Sequence, residues 1–472
     1  VTEAVLSRPP LELSGHPIQR CGARVLTEFA GKDRPEALEA VDLDRAARRI
    51  AEDVALAATA SPGRGDYDWW KVLFALYPNS KPTHARRERD RDAMLAEMAA
   101  LLGVDEGRGE VHPCVFCGQD CTVLWSKSVL PMFDSVRAVN TLPPRTLGWP
   151  VCRGCRLAVW ALPYGAWLTA GSATVLTCDD PEVERAFVVR NIKRAGRIRQ
   201  LGFDALAHGV GPEAVAVRAL REHAIAGPVA ATLWSFKNDN QEPWLRVFST
   251  RTGVTAFLRR VLSEPQGRKG WQDLKRSLHR VDSSGRTVLD GTTAVARTLF
   301  DPELEPRDRL VALLFKHSND SDAPSERDTA WRSLLAAYLE VMHGVETKQL
   351  RPLAEMVARW IATESSRGRF NEYRRVAGSA YPLHKLLVTV SARLYLDGGE
   401  PVDVGPAVEE LLAAGSRGWR LRALLWFEVL AELGRLGVSL SGAEAGEDGG
   451  DDQPTEFDPL ADVDSPEEED YA

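Results

Sequence analysis

The chain has 472 residues, 44% hydrophobic and 27% charged, which is enough for two or three domains with real cores. No apolar stretch approaches the roughly 20 residues that span a bilayer, so a membrane-spanning protein is excluded. The formal net charge of −8 is unevenly placed: residues 443–472 hold 13 of the 67 acidic residues and no lysine or arginine, leaving 59 basic against 54 acidic residues in 1–442, a net of +5.

Residues 35–60 alternate leucine, alanine and charge at helical spacing and stop at Ser61-Pro62-Gly63, which predicts an early helix. Tyr67, Trp69, Trp70, Phe74 and Tyr77 then run into Pro78-Asn79, a cluster that is either core or a platform for stacking bases. Residues 86–102 predict a charged helix with Met94, Leu95, Met98 and Leu101 as its buried stripe.

Cys114-x2-Cys117 and Cys152-x2-Cys155 follow, with 34 residues between the pairs. Two residues between thiolates let one turn aim both sulfurs at one point, and two such turns complete a tetrahedral zinc shell. Four thiolates leave no coordination position open. The expected zinc is therefore structural, stapling a ribbon over about residues 111–165. Disulfides are the competing reading. Seven cysteines is an odd number, the first residues show no signal pattern, and a chain this long needs no bridges, so a reducing cytoplasm is the expected compartment. Cys21, Cys121 and Cys178 read as buried free thiols, with Cys121 near enough to serve as an alternate ligand.

Enzymatic uses of such a site lack their partners. Pro113-Cys114-Val115-Phe116-Cys117 matches the second half of a zinc deaminase signature, but His84 is followed by Ala85 and Arg86, so the first half is missing. An HNH-type nuclease would need histidines near the ribbon. None lies between Gly118 and Val151, only His112 flanks the site, and the next after Cys155 is His208. Gly209-Val210-Gly211-Pro212-Glu213-Ala214 fits G-x-G-x-x-A without a preceding strand and reads as a helix start. With no P-loop and no G-x-S-x-G elbow, the sequence predicts a protein that is not an enzyme.

Leu162-Pro163-Tyr164-Gly165 predicts a turn and Val175-Leu176-Thr177 a short strand. Residues 233–236 and 244–248 predict two strands joined by the polar loop 237–243. From about residue 307 the pattern is helical, with apolar residues three and four apart in 310–315, 331–341, 350–363, 383–396 and 419–436. Breaks fall at Asp397-Gly398-Gly399 and Ser416-Arg417-Gly418. The expected fold class is α+β: a mixed domain over 1–306 carrying the four-cysteine zinc ribbon, a C-terminal helical bundle over 307–442, and a disordered acidic tail over 443–472. That tail is either a solubilising extension or a nucleic-acid mimic shielding a basic surface.

Two basic runs stand out. Arg185, Arg190, Lys193, Arg194, Arg197 and Arg199 fall within fifteen residues, with Val188, Val189 and Ile192 as the opposite, buried face. The second comprises Arg251, Arg259, Arg260, Arg268, Lys269, Lys275, Arg276 and Arg280. Each is either a solvated helix face or a set of phosphate contacts. Their company with a zinc ribbon favours the latter, making Arg190, Lys193, Arg194, Arg197, Arg259, Arg260, Lys269 and Lys275 candidate DNA-backbone contacts. Lys237, Asn238, Asn240 and Gln241 are candidate base readers, because amides donate and accept together at base edges; the alternative is an ordinary hairpin turn.

Several pieces follow one another over residues 13–245: Leu13-Ser14-Gly15-His16-Pro17 leading to Cys21-Gly22, then Leu76-Tyr77-Pro78-Asn79, the two knuckles, Leu162-Pro163-Tyr164-Gly165, and Ser235-Phe236-Lys237-Asn238. In this order they resemble the Cst-type large subunit of type I-B CRISPR Cascade complexes. The resemblance implies a non-enzymatic subunit of a guide RNA-containing complex, assembled with backbone and small subunits. Guide pairing reads the target, while this subunit inspects a flanking motif (PAM) in double-stranded target DNA, aids R-loop formation and offers a docking surface to a separate helicase-nuclease. Lys237, Asn238, Asn240 and Gln241 would then be the PAM-reading loop. Internal translation of the C-terminal region is also implied; Met342 and Met356 are candidate starts but lie inside predicted helices, and a non-AUG start further upstream fits better. A stand-alone zinc-ribbon DNA-binding regulator is the rival; it accounts for the ribbon and basic runs but not for the helical C-terminal part.

Overall fold

His16-Pro17 opens the first helix, α1 (Pro17–Ala30), since proline at the first helical position forfeits no intrahelical bond, and Gly31 ends it at a φ of 66°. The computed structural model describes residues 8–62, 65–78, 80–105, 109–125, 148–223, 228–238, 243–302, 308–319, 326–364, 367–398, 405–413 and 415–438. Asn240, Gln241 and the acidic tail lie outside the described residues. The chain divides into two compact units, Val1–Thr250 and Arg251–Ala472.

In the first unit, α2 (Ala40–Thr59) begins later than the leucine and alanine spacing suggested. Pro35–Ala37 forms a separate 3-10 turn, and Glu39 and Asp42 then cap the helix reciprocally. α3 (Gly65–Leu76) carries the aromatic run. α4 (Arg91–Leu101) also starts late, where the Asp90 carboxylate accepts from the Ala93 N–H at 2.8 Å; Met94 and Met98 are its buried residues. The ribbon strands are β1 (His112–Pro113), β2 (Asp120–Cys121), β3 (Leu124–Trp125) and β4 (Trp149–Pro150), leading into α5 (Arg153–Gly165). α1 crosses α5 so closely that a Cβ on Gly22 would lie 1.7 Å from the Ala158 carbonyl oxygen, so only glycine fits there.

Leu162-Pro163-Tyr164-Gly165 is not a turn but the end of α5. A proline inside a helix strands the carbonyl four residues back, here that of Val159. Tyr77 Oη donates to that oxygen at 2.7 Å and satisfies it. Beyond it, β5 (Trp167–Leu168), β6 (Ala173–Cys178), β7 (Ala231–Lys237) and β8 (Trp244–Thr250) pair antiparallel in that order, with Val175 opposite Trp234 and Trp234 opposite Val247. The two strands expected around 233–248 are β7 and β8. α6 (Pro181–Leu201) and α1 pack on β6, and α7 (Pro212–His223) packs on α6.

The second unit begins earlier than the helical pattern implied, at residue 251 rather than 307, because α8 (Val254–Ser263) and α9 (Pro265–Leu278) pack on α12 (Glu326–His343). Between them come the hairpin β9 (Arg280–Val281) and β10 (Thr287–Leu289), α10 (Gly291–Arg297), β11 (Phe300–Pro302) and α11 (Arg309–Asn319). The bundle continues through α13 (Arg351–Ala362), α14 (Gly368–Val376), α15 (Ala380–Leu396), α16 (Gly405–Leu412) and α17 (Ser416–Arg435). Gly398 turns at a φ of 83° where a break was expected, whereas Ser416-Arg417-Gly418 starts α17 and the break falls at Gly415. Trp426 on α17 stacks on Tyr373 at 5.6 Å and donates to Ser318 Oγ at 3.0 Å, anchoring three helices at the centre of the bundle. Among the described residues, no helix is long and apolar enough to cross a membrane. The chain is thus mixed α+β with a helical C-terminal region.

Candidate functional site

The turn of the β1–β2 hairpin carries Cys114 and Cys117. The Cys114 N–H donates to Gln119 O and the Gly118 N–H to Cys114 O, both at 2.8 Å, with Gly118 in the left-handed region at a φ of 74°. The second pair opens α5: Cys152 is its N-cap and Cys155 stands in the first turn, where the helix dipole favours thiolates. Bonds of 3.0 Å from Val115 N–H to Pro150 O and from Val151 N–H to Val123 O hold the knuckles together.

All four sulfurs lie within 4.8 Å of one another, and Cys117 Sγ is 3.6 Å from Cys152 Sγ. Sulfurs bound about 2.3 Å from a tetrahedral zinc would stand about 3.8 Å apart, whereas a disulfide needs about 2 Å. The donor set therefore fits a metal ion and not a bridge. The three sulfur neighbours of Cys155, Cys114 first, and then burial hold its thiol far above the usual range, so a cation is what lets all four ionise together.

A layer of protein that the sequence did not single out surrounds the centre. Gln19 donates through Nε2 to Cys155 Sγ at 3.5 Å and to Glu12 O at 2.7 Å, while its Oε1 accepts from Ser14 N–H at 3.0 Å and Ser14 Oγ at 2.9 Å. His16 and Phe116 meet at right angles with ring centres 5.1 Å apart, and burial lowers the His16 pKa. Gln119 Nε2 donates to Pro9 O at 2.8 Å. Behind the second knuckle, buried Arg156 pairs with Asp105 at 2.7 Å and donates to Gly103 O at 2.7 Å and Val151 O at 3.2 Å. The only sequence signal for Gln19 was its place just after the Leu13–Pro17 piece.

Cys121 is not an alternate ligand. Its thiol donates to His112 O at 3.4 Å, it stands outside the four-sulfur group, and burial raises its pKa to about 12. Cys21 and Cys178 are buried free thiols, as expected.

The aromatic run is mostly framework. Trp69 and Tyr77 are buried, Tyr77 stacks on Trp160 at 4.2 Å, and Arg87 covers Trp70 at 4.3 Å, while Phe74 is 45% exposed. The basic run on α6 separates into two groups. Arg185 pairs with Glu28 at 2.6 Å, Arg190 with Glu222 at 3.5 Å, and Arg199 with Asp53. Arg194 lies over Trp167 at 4.0 Å and donates to Leu168 O at 2.7 Å, and burial lowers its pKa to about 10. Lys193 and Arg197, one turn apart, are exposed. Val188 is buried as expected, with Val189 and Ile192 half-buried beside it.

In the second unit, Arg251 pairs with Asp301 at 3.0 Å, and Arg260 pairs with Glu340 at 2.6 Å and Glu264 at 3.2 Å. Arg259 is exposed, donating weakly to Thr255 O at 3.5 Å, and Lys269 and Lys275 lie along α9. Lys237 ends β7, half-buried. Asn238 departs from the base-reading expectation: it is buried, and its Nδ2 donates to Leu76 O at 2.8 Å, capping the end of α3. Asn238→Ala is expected to destabilise the first unit by about 1–2 kcal/mol, measured as faster hydrogen exchange at the end of α3 and along β7. Unchanged exchange there would return Asn238 to the list of base readers.

No family model and no curated protein matches the chain.

Proposed function

We propose that the chain is the large subunit of a type I CRISPR RNA-guided surveillance complex, with zinc in the Cys114, Cys117, Cys152 and Cys155 centre. In this role it inspects the flanking motif in double-stranded DNA, helps to open the duplex and docks a separate helicase-nuclease. The metal is structural. Thiolate-only shells select zinc over hard cations, and a closed shell has no position for substrate.

The observation supporting this reading is how five scattered pieces converge. The Leu13–Pro17 piece reaches Cys155 Sγ through Ser14 and Gln19, Gly22 admits α5, Tyr77 satisfies the carbonyl that Pro163 leaves open, and Asn238 caps α3 beside Leu76. The pieces that carry the resemblance thus act as one framework around the ribbon, and DNA contacts fall to other residues. Lys193 and Arg197 are the candidates on α6 whose charge faces solvent. Replacing both with alanine is expected to weaken target binding by the assembled complex equally for all flanking motifs. The slope of log affinity against log salt should flatten by about 2. A loss confined to some motifs would make them base readers.

The role itself is tested by purifying the tagged chain from its native host, sequencing bound RNA and identifying bound proteins. A short repeat-derived guide RNA with backbone-forming partners is the expected result. Recovery of DNA without RNA or partners would replace the reading with a stand-alone zinc-ribbon regulator.

A further inference from the structure

α15 buries Leu383, Leu386, Leu387 and Val390 in the bundle, yet its opposite side is apolar as well. Tyr381 is 66% exposed, Val388 57%, Tyr395 64% and Leu396 82%. At about 100° per residue, Tyr381, Val388 and Tyr395, spaced seven apart, fall within about 40° of arc, with Leu396 to one side. A solvated helix face is normally polar, so a stripe of this kind marks a contact surface. Its rim is basic: His384, Lys385 and Arg393 are exposed, Lys385 Nζ lies 4.5 Å from the Tyr381 ring centre, and α15 carries no carboxylate. An occupant that fits must be apolar and acidic together.

The chain contains such a segment. Residues 443–472 hold 13 acidic and no basic residues, and within them Phe457, Leu460 and Val463 recur every third position between Glu456, Asp458, Asp462 and Asp464. α17, which packs on α15, ends at Arg435, and the 18 residues 439–456 separate the last described position, Val438, from Phe457. Eighteen residues span up to roughly 60 Å, more than the length of any helix in the bundle. Tethering at this range gives an effective concentration on the order of millimolar, enough to populate a weak contact.

We propose that residues 456–464 dock on the exposed face of α15 in the same chain. Phe457, Leu460 and Val463 cover Tyr381, Val388 and Tyr395, and the intervening carboxylates meet Lys385 and Arg393.

The test uses the full chain with Tyr395→p-benzoylphenylalanine, an aromatic exchange at an exposed position, irradiated in dilute solution and mapped by mass spectrometry. Adducts within one chain to residues 455–464 are expected. Their yield should fall about fivefold or more in 0.5 M salt, as screening weakens the charge contacts, and in a Phe457→Ala, Leu460→Ala background. Cross-linked dimers would assign the face to a second copy, while adducts elsewhere in the chain, or none, would equally overturn the proposal.

Discussion

Cys155→Ser is expected to take the metal content of the purified chain from one ion to near none and to loosen the ribbon. Cys155 stands in the first turn of α5, so an ion held there would be tied to the helix that α1 crosses at Gly22 and that Tyr77 braces at Val159. Structural zinc supplies binding free energy on the order of 10 kcal/mol to small ribbons. Its loss should therefore appear as fast hydrogen exchange in 112–125 and 149–155, well ahead of the second unit. Gln19→Leu separates the surrounding layer from the ligands. It removes one hydrogen bond to Cys155 Sγ, so the ion should remain but bind about 10- to 100-fold more weakly in competition with a chelator. Cys121→Ser should change neither reading, because its sulfur faces His112 O. Full metal content with unchanged exchange in Cys155→Ser would remove the metal centre from the account.

The four-cysteine cluster was legible because each knuckle is local: two residues between cysteines fix where both sulfurs point, and only the pairing of the knuckles is long-range. The helices of the second unit were legible for a similar reason, since their apolar spacing is a property of each segment alone. Gln19 and Arg156 were not legible. Gln19 meets Cys155 across 136 positions, and no local pattern distinguishes a glutamine that supports a thiolate from one that faces solvent. The place of Asn238 was hidden on the same ground. An amide in a polar loop suggests a turn or a base reader, but its partner, Leu76 O, lies 162 positions away. Leu162-Pro163-Tyr164-Gly165 shows how tertiary context overrides a strong local signal. Proline and glycine together normally end a helix, yet here Tyr77 supplies the missing donor and the helix runs on to Gly165.

Asp308→Asn is expected to have the largest effect in the second unit. The Asp308 side chain is 5% exposed and accepts from Arg420 Nε at 2.5 Å, Arg251 Nη2 at 3.2 Å and His343 Nε2 at 3.1 Å. These residues come from α17, from the segment just before α8 and from the end of α12, so one carboxylate joins three parts of the unit at the start of α11. Burial by itself would raise its pKa, but the hydrogen bonds from His343 and Arg420 and the charges of Arg420 and Arg251 outweigh burial and hold it below the usual carboxylate range. Asparagine keeps the shape but leaves Arg420 facing a neutral amide, while Arg251 retains Asp301; breaking a buried pair this way costs about 3–5 kcal/mol. The sign of the pH dependence follows from the depressed pKa. The stabilisation is complete above the unfolded carboxylate value of about 3.9 and is lost as pH falls through the lower folded value. Wild type and Asp308→Asn should therefore differ most near neutral pH and converge in acid, read from hydrogen exchange in α11, α12 and α17. A difference that stays constant from pH 7 down to the acid limb would mean that packing, not the charge of Asp308, holds these helices together.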